Sequence, residues 1–128
     1  MPACRPVVRF LSNEWLSEAA DLTAADGGSA VWVVEQVVRS AGGDVRYQVH
    51  VTADAARIEP QGSAEVDLEI AEDYGVAAAI SRGELDPGVA LARGSITVRG
   101  DAGRMAAAAD SLARMTDVLA PLRARTEY

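Results

Sequence analysis

Between Val31 and Ile70 the apolar residues of this chain recur at every second position; after Glu72 they recur at every third or fourth. A period of two marks strands with one buried face, and a period near 3.6 marks helices packing along one stripe. The change of period therefore sets a sheet before most of the helices. The segment from Gly62 is the clearest strand, with Val66, Leu68 and Ile70 pointing one way and Glu65, Asp67 and Glu69 the other. One sheet face then meets water and the other a core.

The valine-rich residues 30–40 read as a strand with Trp32, Val34 and Val38 inward and Val31, Val33 and Val37 on the opposite side. Apolar residues on both sides place it centrally, and Glu35 and Gln36 interrupt each side once. Ala41-Gly42-Gly43-Asp44 is a hairpin turn. The returning strand alternates Val45, Tyr47, Val49 and Val51 with Arg46, Gln48, His50 and Thr52. Residues 56–60 suit a short further strand.

Helices flank this region. Ser12 or Asn13 caps a first helix running to about Ala24, with Leu11, Trp15, Ala19 and Leu22 as its stripe, closed by Asp26-Gly27-Gly28. Glu72 and Asp73 bring negative charge to the start of a second, whose apolar side is Val76, Ala77 and Ile80 and whose end is Gly83. Asp86-Pro87 starts a short third helix that Gly94 stops. Ile96 and Val98 mark one more strand. Asp101 is placed to cap a last helix with the stripe Met105, Ala108, Ala109, Leu112, Met115 and Leu119, ended by Pro121. Residues 1–9, with two prolines, form an N-terminal arm to a single domain spanning 1–128. The outline is α+β, with helices gathered on one face of a largely antiparallel sheet.

Composition narrows the function. Of 128 residues 49% are apolar but only 5% aromatic, so the core is built of small side chains. A net charge of −7, without a basic stripe, argues against nucleic acid. The lack of a polybasic patch limits membrane contact to a transient one. Cys4 is alone, which excludes an intrachain disulfide. Neither a signal peptide nor a stretch of membrane-spanning length is found, so a cytoplasmic location is expected.

Groups suited to chemistry are few. His50 is the single histidine and falls on the solvent side of its strand, so no transition-metal site and no Ser-His-Asp arrangement is expected. Glu65, Asp67 and Glu69 read as a solvated strand face. Gly100-Asp101-Ala102-Gly103 lacks the glycine spacing and lysine of a phosphate loop. No cofactor is expected. A proton-transfer enzyme would need a carboxylate inside the core beside Tyr47 or Tyr74, and none is clearly placed there.

Three runs stand out: Asp73-Tyr74 through Gly83-Glu84-Leu85, then Asp86-Pro87, then Ala90-Leu91-Ala92-Arg93-Gly94 leading through Ile96 and Val98 to Gly100-Asp101. With the strand from Gly62 to Ile70, this half of the chain resembles the sterol carrier proteins. The Trp15 helix and the 30–52 hairpin agree with that family in order. The resemblance implies a five-stranded, mostly antiparallel sheet, helices over one face and a hydrophobic tunnel between the layers. It also implies binding or transfer of fatty acyl chains, sterols or other lipids without covalent chemistry. The residues that would line such a cavity are Trp32, Val34, Val49, Val51, Leu68 and Ile70 on strands, with Ile80, Leu91 and Ile96 beyond them. Met105, Leu112 and Met115 of the last helix complete the lining, the methionines being suited to an adaptable wall. Each is equally an ordinary core residue unless a cavity separates the layers. The chain ends Arg125-Thr126-Glu127-Tyr128, not in a peroxisomal targeting tripeptide, which favours a bacterial-type stand-alone relative. Two other readings stay open: a dimerisation or protein-interaction module with a filled core, forming a homodimer through the 30–52 hairpin or an exposed edge, and a small isomerase-like proton-transfer enzyme.

Overall fold

A computed structural model describes residues 7–24, 31–53, 55–100, 103 and 109–128, with side chains in the final helical region described from Arg114 onward. Strand β2 (Trp32–Ser40) is the middle of a five-stranded sheet, as its two apolar sides require, and is flanked by β3 (Gly43–Val51) and β5 (Leu68–Asp73). The outer strands are β4 (Ala56–Glu59) beside β3 and β6 (Ile96–Gly100) beside β5, giving the order β4-β3-β2-β5-β6. The turn between β2 and β3 is tight, with Ser40 opposite Gly43. Three of the neighbouring pairs are antiparallel, while β5 runs parallel to β2 with Val34 opposite Leu68.

That parallel pairing has a cost in chain length. The connection from β4 to β5 must pass β3 and β2 to reach its place in the sheet. Residues 60–67 make this passage and are not the extended strand that alternation from Gly62 predicts. The segment lies against Gln48, whose side-chain amide donates to the Ala64 carbonyl at 2.9 Å while its oxygen accepts from the Ala64 amide at 3.3 Å. A Cβ on Gly62 would sit 2.3 Å from Gln48 Oε1, so this position takes glycine. Glu65 is exposed on the segment, whereas Asp67 fastens it to β2, its carboxylate accepting the Val33 N–H at 2.8 Å. The three alternating acids are therefore not one solvated strand face.

Helices cover the opposite side of the sheet. The first, α1 (Asn13–Thr23), packs on β4, and α2 (Tyr74–Ser81) packs on β2 and β5. The short α3 (Pro87–Ala92) lies on β6, and α4 (Ala109–Val118) reaches β4 and α1. Ser12 caps α1 by accepting the Trp15 N–H at 3.2 Å, and Asp86 caps α3 by accepting from Val89 at 3.1 Å. Asp73 occupies the cap position of α2 without a capping bond; its carboxylate pairs with Arg39 at 2.9 Å. Gly100 approaches the backbone too closely for any side chain, since a Cβ there would lie 2.8 Å from the Asp67 carbonyl oxygen. Its φ of +118° is equally suited to glycine.

Two expectations at the chain ends are corrected. Val8–Arg9 are not part of a free arm but form β1, paired in parallel with β7 (Thr126–Glu127). Val8 and Phe10 are buried there. Pro121 does not end the last long helix, which closes at Val118; it sits in the first turn of α5 (Ala120–Arg123), where a missing N–H costs nothing. The turn at Asp26–Gly28, the cap at Asp101, and Met105 and Ala108 lie outside the described residues.

Thr23 ties α1 to the sheet. Its buried hydroxyl donates to the Ala19 carbonyl at 2.8 Å and accepts the Ile58 N–H of β4 at 2.9 Å. Thr23→Val keeps the shape but leaves that strand amide without its partner, so a loss of about 1–3 kcal/mol in unfolding free energy is expected. Urea titration followed by circular dichroism measures it.

Candidate functional site

The helix-facing side of the sheet carries two apolar clusters. In the first, Val38 and Ile58 meet Trp15, Leu16 and Ala19 of α1, Ala77 and Ala78 of α2, and Leu119 and Leu122 near the C-terminus. In the second, Trp32, Val34, Val49, Val51, Leu68, Ile70 and Ile96 form a continuous strand surface with Ala56 and Ala90. Ile80, Leu85, Val76 and Val98 pack on its margin, and Tyr47 and Met115 touch both clusters. The structure thus brings Trp32, Val34, Val49, Val51, Leu68, Ile70 and Ile96 into one apolar cluster, with Ile80 and Met115 beside them.

Leu91 is a correction. It is 37% exposed, whereas its neighbour Ala90 is fully buried, because α3 turns its alanine side toward β6. Met105 lies outside the described residues, and the side chain of Leu112 does so too. Two clefts of about 560 and 430 Å³ open on the surface around the start of α1, the first between Val7, Arg9, Ser12, Asn13, Glu14 and Glu127, the second between Asn13, Glu14, Ser17 and Glu18. Neither reaches the second cluster.

Between the clusters the apolar surface is broken by three polar side chains. β2 places Gln36 in line with Trp32 and Val34, β3 places Tyr47 opposite Gln36, and β5 places Glu72 in line with Leu68 and Ile70. Glu72 is only 6% exposed, and its Oε1 accepts a hydrogen bond from Gln36 Nε2 at 2.5 Å. Burial pushes the Glu72 carboxyl up to about 7, and the Arg39 charge pulls weakly the other way. Burial also raises the Tyr47 phenol, and the Glu72 charge adds to that rise. The expectation that no acid lies inside the core is therefore overturned. Glu72 is the last inward residue of a strand before it is the prelude to a helix, and Gln36 occupies the corresponding place on β2. The sequence holds a signal for both: continuing the alternation by one step past Ile70 reaches Glu72, and past Val34 reaches Gln36.

His50 lies on the other side of the sheet, half-buried, with Nε2 2.9 Å from Gln48 Oε1. Burial lowers its pKa, with Glu59 opposing and Arg57 assisting. Among the described residues no group of three or more His, Cys, Asp or Glu side chains could hold a metal ion. No described helix is long and apolar enough to cross a membrane.

No family model matches this chain, and no curated protein matches its sequence. Solved structures do match. A crystal structure of sterol carrier protein 2 superposes with a TM-score of 0.63 at 17% identity, over 85% of this chain and 95% of that one. A conserved hypothetical protein from Thermus thermophilus gives 0.58 at 18% identity, over 98% and 97%. A palmitated sterol carrier protein 2-like protein from Aedes aegypti gives 0.51 at 22% identity, over 85% and 95%. The chain has the fold of the sterol carrier proteins, as the resemblance in its second half implies.

Proposed function

We propose that this protein binds and transfers a lipid or other apolar ligand without covalent chemistry, holding it between the sheet and its helices. The observation that carries this reading is the second cluster: a broad strand surface of valine, leucine and isoleucine on which α3 sets the buried Ala90, while Val76, Ile80, Leu85 and Met115 pack over it only partly buried. These partly buried side chains are the ones an alkyl chain lying on the strand surface displaces. Each methylene removed from water contributes about 0.8 kcal/mol, and about ten of them supply roughly 8 kcal/mol before ordering costs. A palmitated structure of the same fold supports an acyl chain as one such ligand. On this reading the protein acts in the cytoplasm, touches membranes only transiently and needs no cofactor.

Titration with an environment-sensitive fluorescent fatty acyl probe tests it. Saturable binding displaced by an unlabelled lipid is expected. A signal that does not saturate, or that no lipid displaces, would leave the reading without support.

Glu72 favours a second reading, that of a small proton-transfer enzyme. A carboxyl near neutral pKa beside a phenol is a usable acid–base pair. It predicts an activity lost on Glu72→Gln with ligand affinity retained, whereas the carrier reading predicts no turnover in either protein.

A further inference from the structure

We propose that Glu72 and Gln36 form the headgroup end of the binding site and select an apolar ligand ending in a neutral hydroxyl over one ending in a carboxylate. This deepens the carrier reading and rests on it. The two side chains sit in line with Trp32, Val34, Leu68 and Ile70, so a chain lying along that surface ends at a polar pair. Among the described residues Gln36 supplies the single hydrogen bond of the Glu72 carboxylate. An ionised carboxylate has room for about four hydrogen bonds and an amide nitrogen carries two hydrogens, so each partner keeps capacity for a ligand. A hydroxyl uses both: it donates to Glu72 and accepts from Gln36. A ligand carboxylate cannot donate, and it sets a second negative charge beside a buried one.

The surroundings do not neutralise that charge from the ligand side. Of the groups on the neighbouring strands, the Tyr47 phenol of β3 shares the side of Glu72. Arg39 of β2 lies on the other side of the sheet, paired with Asp73; Glu35 there lies near Arg46 at 3.7 Å, and Arg99 of β6 stands opposite Glu69. Tyr74 of α2 belongs to the first cluster. Selectivity therefore follows the charge of Glu72: weak while the carboxyl is protonated, strong once it ionises.

The test is competitive displacement of a fluorescent probe by a long-chain alcohol and by the carboxylic acid of equal length, below about pH 6 and above about pH 8. The alcohol is expected to win by about tenfold or more at the higher pH, the energy of one buried like-charge contact, and to lose most of that advantage at the lower. Glu72→Gln is expected to flatten the alcohol-to-acid ratio across pH, whatever it does to the affinity for the alcohol itself. Equal preference in the unaltered protein at both pH values would overturn the proposal while leaving the carrier reading intact, and this comparison needs no variant to fold. A pH-dependent preference retained in Glu72→Gln would overturn it as well. Displacement by neither ligand at either pH would remove the carrier reading itself, and the headgroup site with it.

Discussion

Trp15→Ala is expected to lower the unfolding free energy by about 3–5 kcal/mol, the range for emptying an aromatic site in a core. Trp15 is buried in the first cluster, edge-on to Phe10 with ring centroids 5.1 Å apart. Phe10 in turn meets Tyr74 at 5.6 Å and Tyr128 at 4.9 Å, so one ring group joins the segment after β1 to α1, α2 and the C-terminus. The indole Nε1 also donates to Thr126 Oγ1 of β7 at 3.1 Å. Losing the indole therefore loosens the joint between both ends of the chain and the helical layer. Trp15→Phe retains most of the area and loses the hydrogen bond, for about 1 kcal/mol. Chemical denaturation followed by far-ultraviolet circular dichroism measures both. A loss below about 1 kcal/mol for the alanine variant would mean that this cluster does not anchor the chain ends to the helical layer.

The second large effect is a dependence of stability on pH. The Glu72 carboxyl rises from 4.5 to about 7 on folding, because the buried site disfavours its charge. The folded state therefore holds a proton that the unfolded chain releases first. The stabilising contribution is fully present below pH 4.5 and is lost as pH rises to about 7. Its size is on the order of 3 kcal/mol. Glu72→Gln keeps the shape and cannot ionise, so its stability should lack this fall and exceed that of the unaltered protein above pH 7. Parallel stability curves for the two proteins across this range would contradict the burial of a titrating carboxyl.

Much of the fold is legible in the residues because local signals and tertiary packing agree. The two apolar sides of β2, the cap at Asp86 with Pro87 behind it, and the hairpin turn at Ala41–Asp44 each point to one structure. The departures have physical causes. Alternation continues through Gly62–Asp67, but a parallel β5 forces that segment to cross the sheet, and Gln48 and Val33 capture it by hydrogen bonds. The β1–β7 pair is two residues long on each side and joins opposite ends of the chain, which no local pattern announces. In α3 the choice between Ala90 and Leu91 turns on a helix of six residues, too short for a stripe to define its buried side.

The candidate site is half visible in the residues. Period two sets its apolar strand residues on common faces, and their role as a lining is what the resemblance implies. Its polar pair is hidden because Glu72 also fits the first turn of a helix, where an acid is ordinarily solvated and favourable. Register decides between those roles: β5 extends to Asp73 and carries Glu72 inward before the helix begins.

Native mass spectrometry of the protein freshly isolated from cells weighs the central claim directly. A species heavier than the bare chain by the mass of an apolar molecule, released intact on activation, is the predicted result. A population holding only the mass of the chain, unchanged after incubation with lipid, would contradict it.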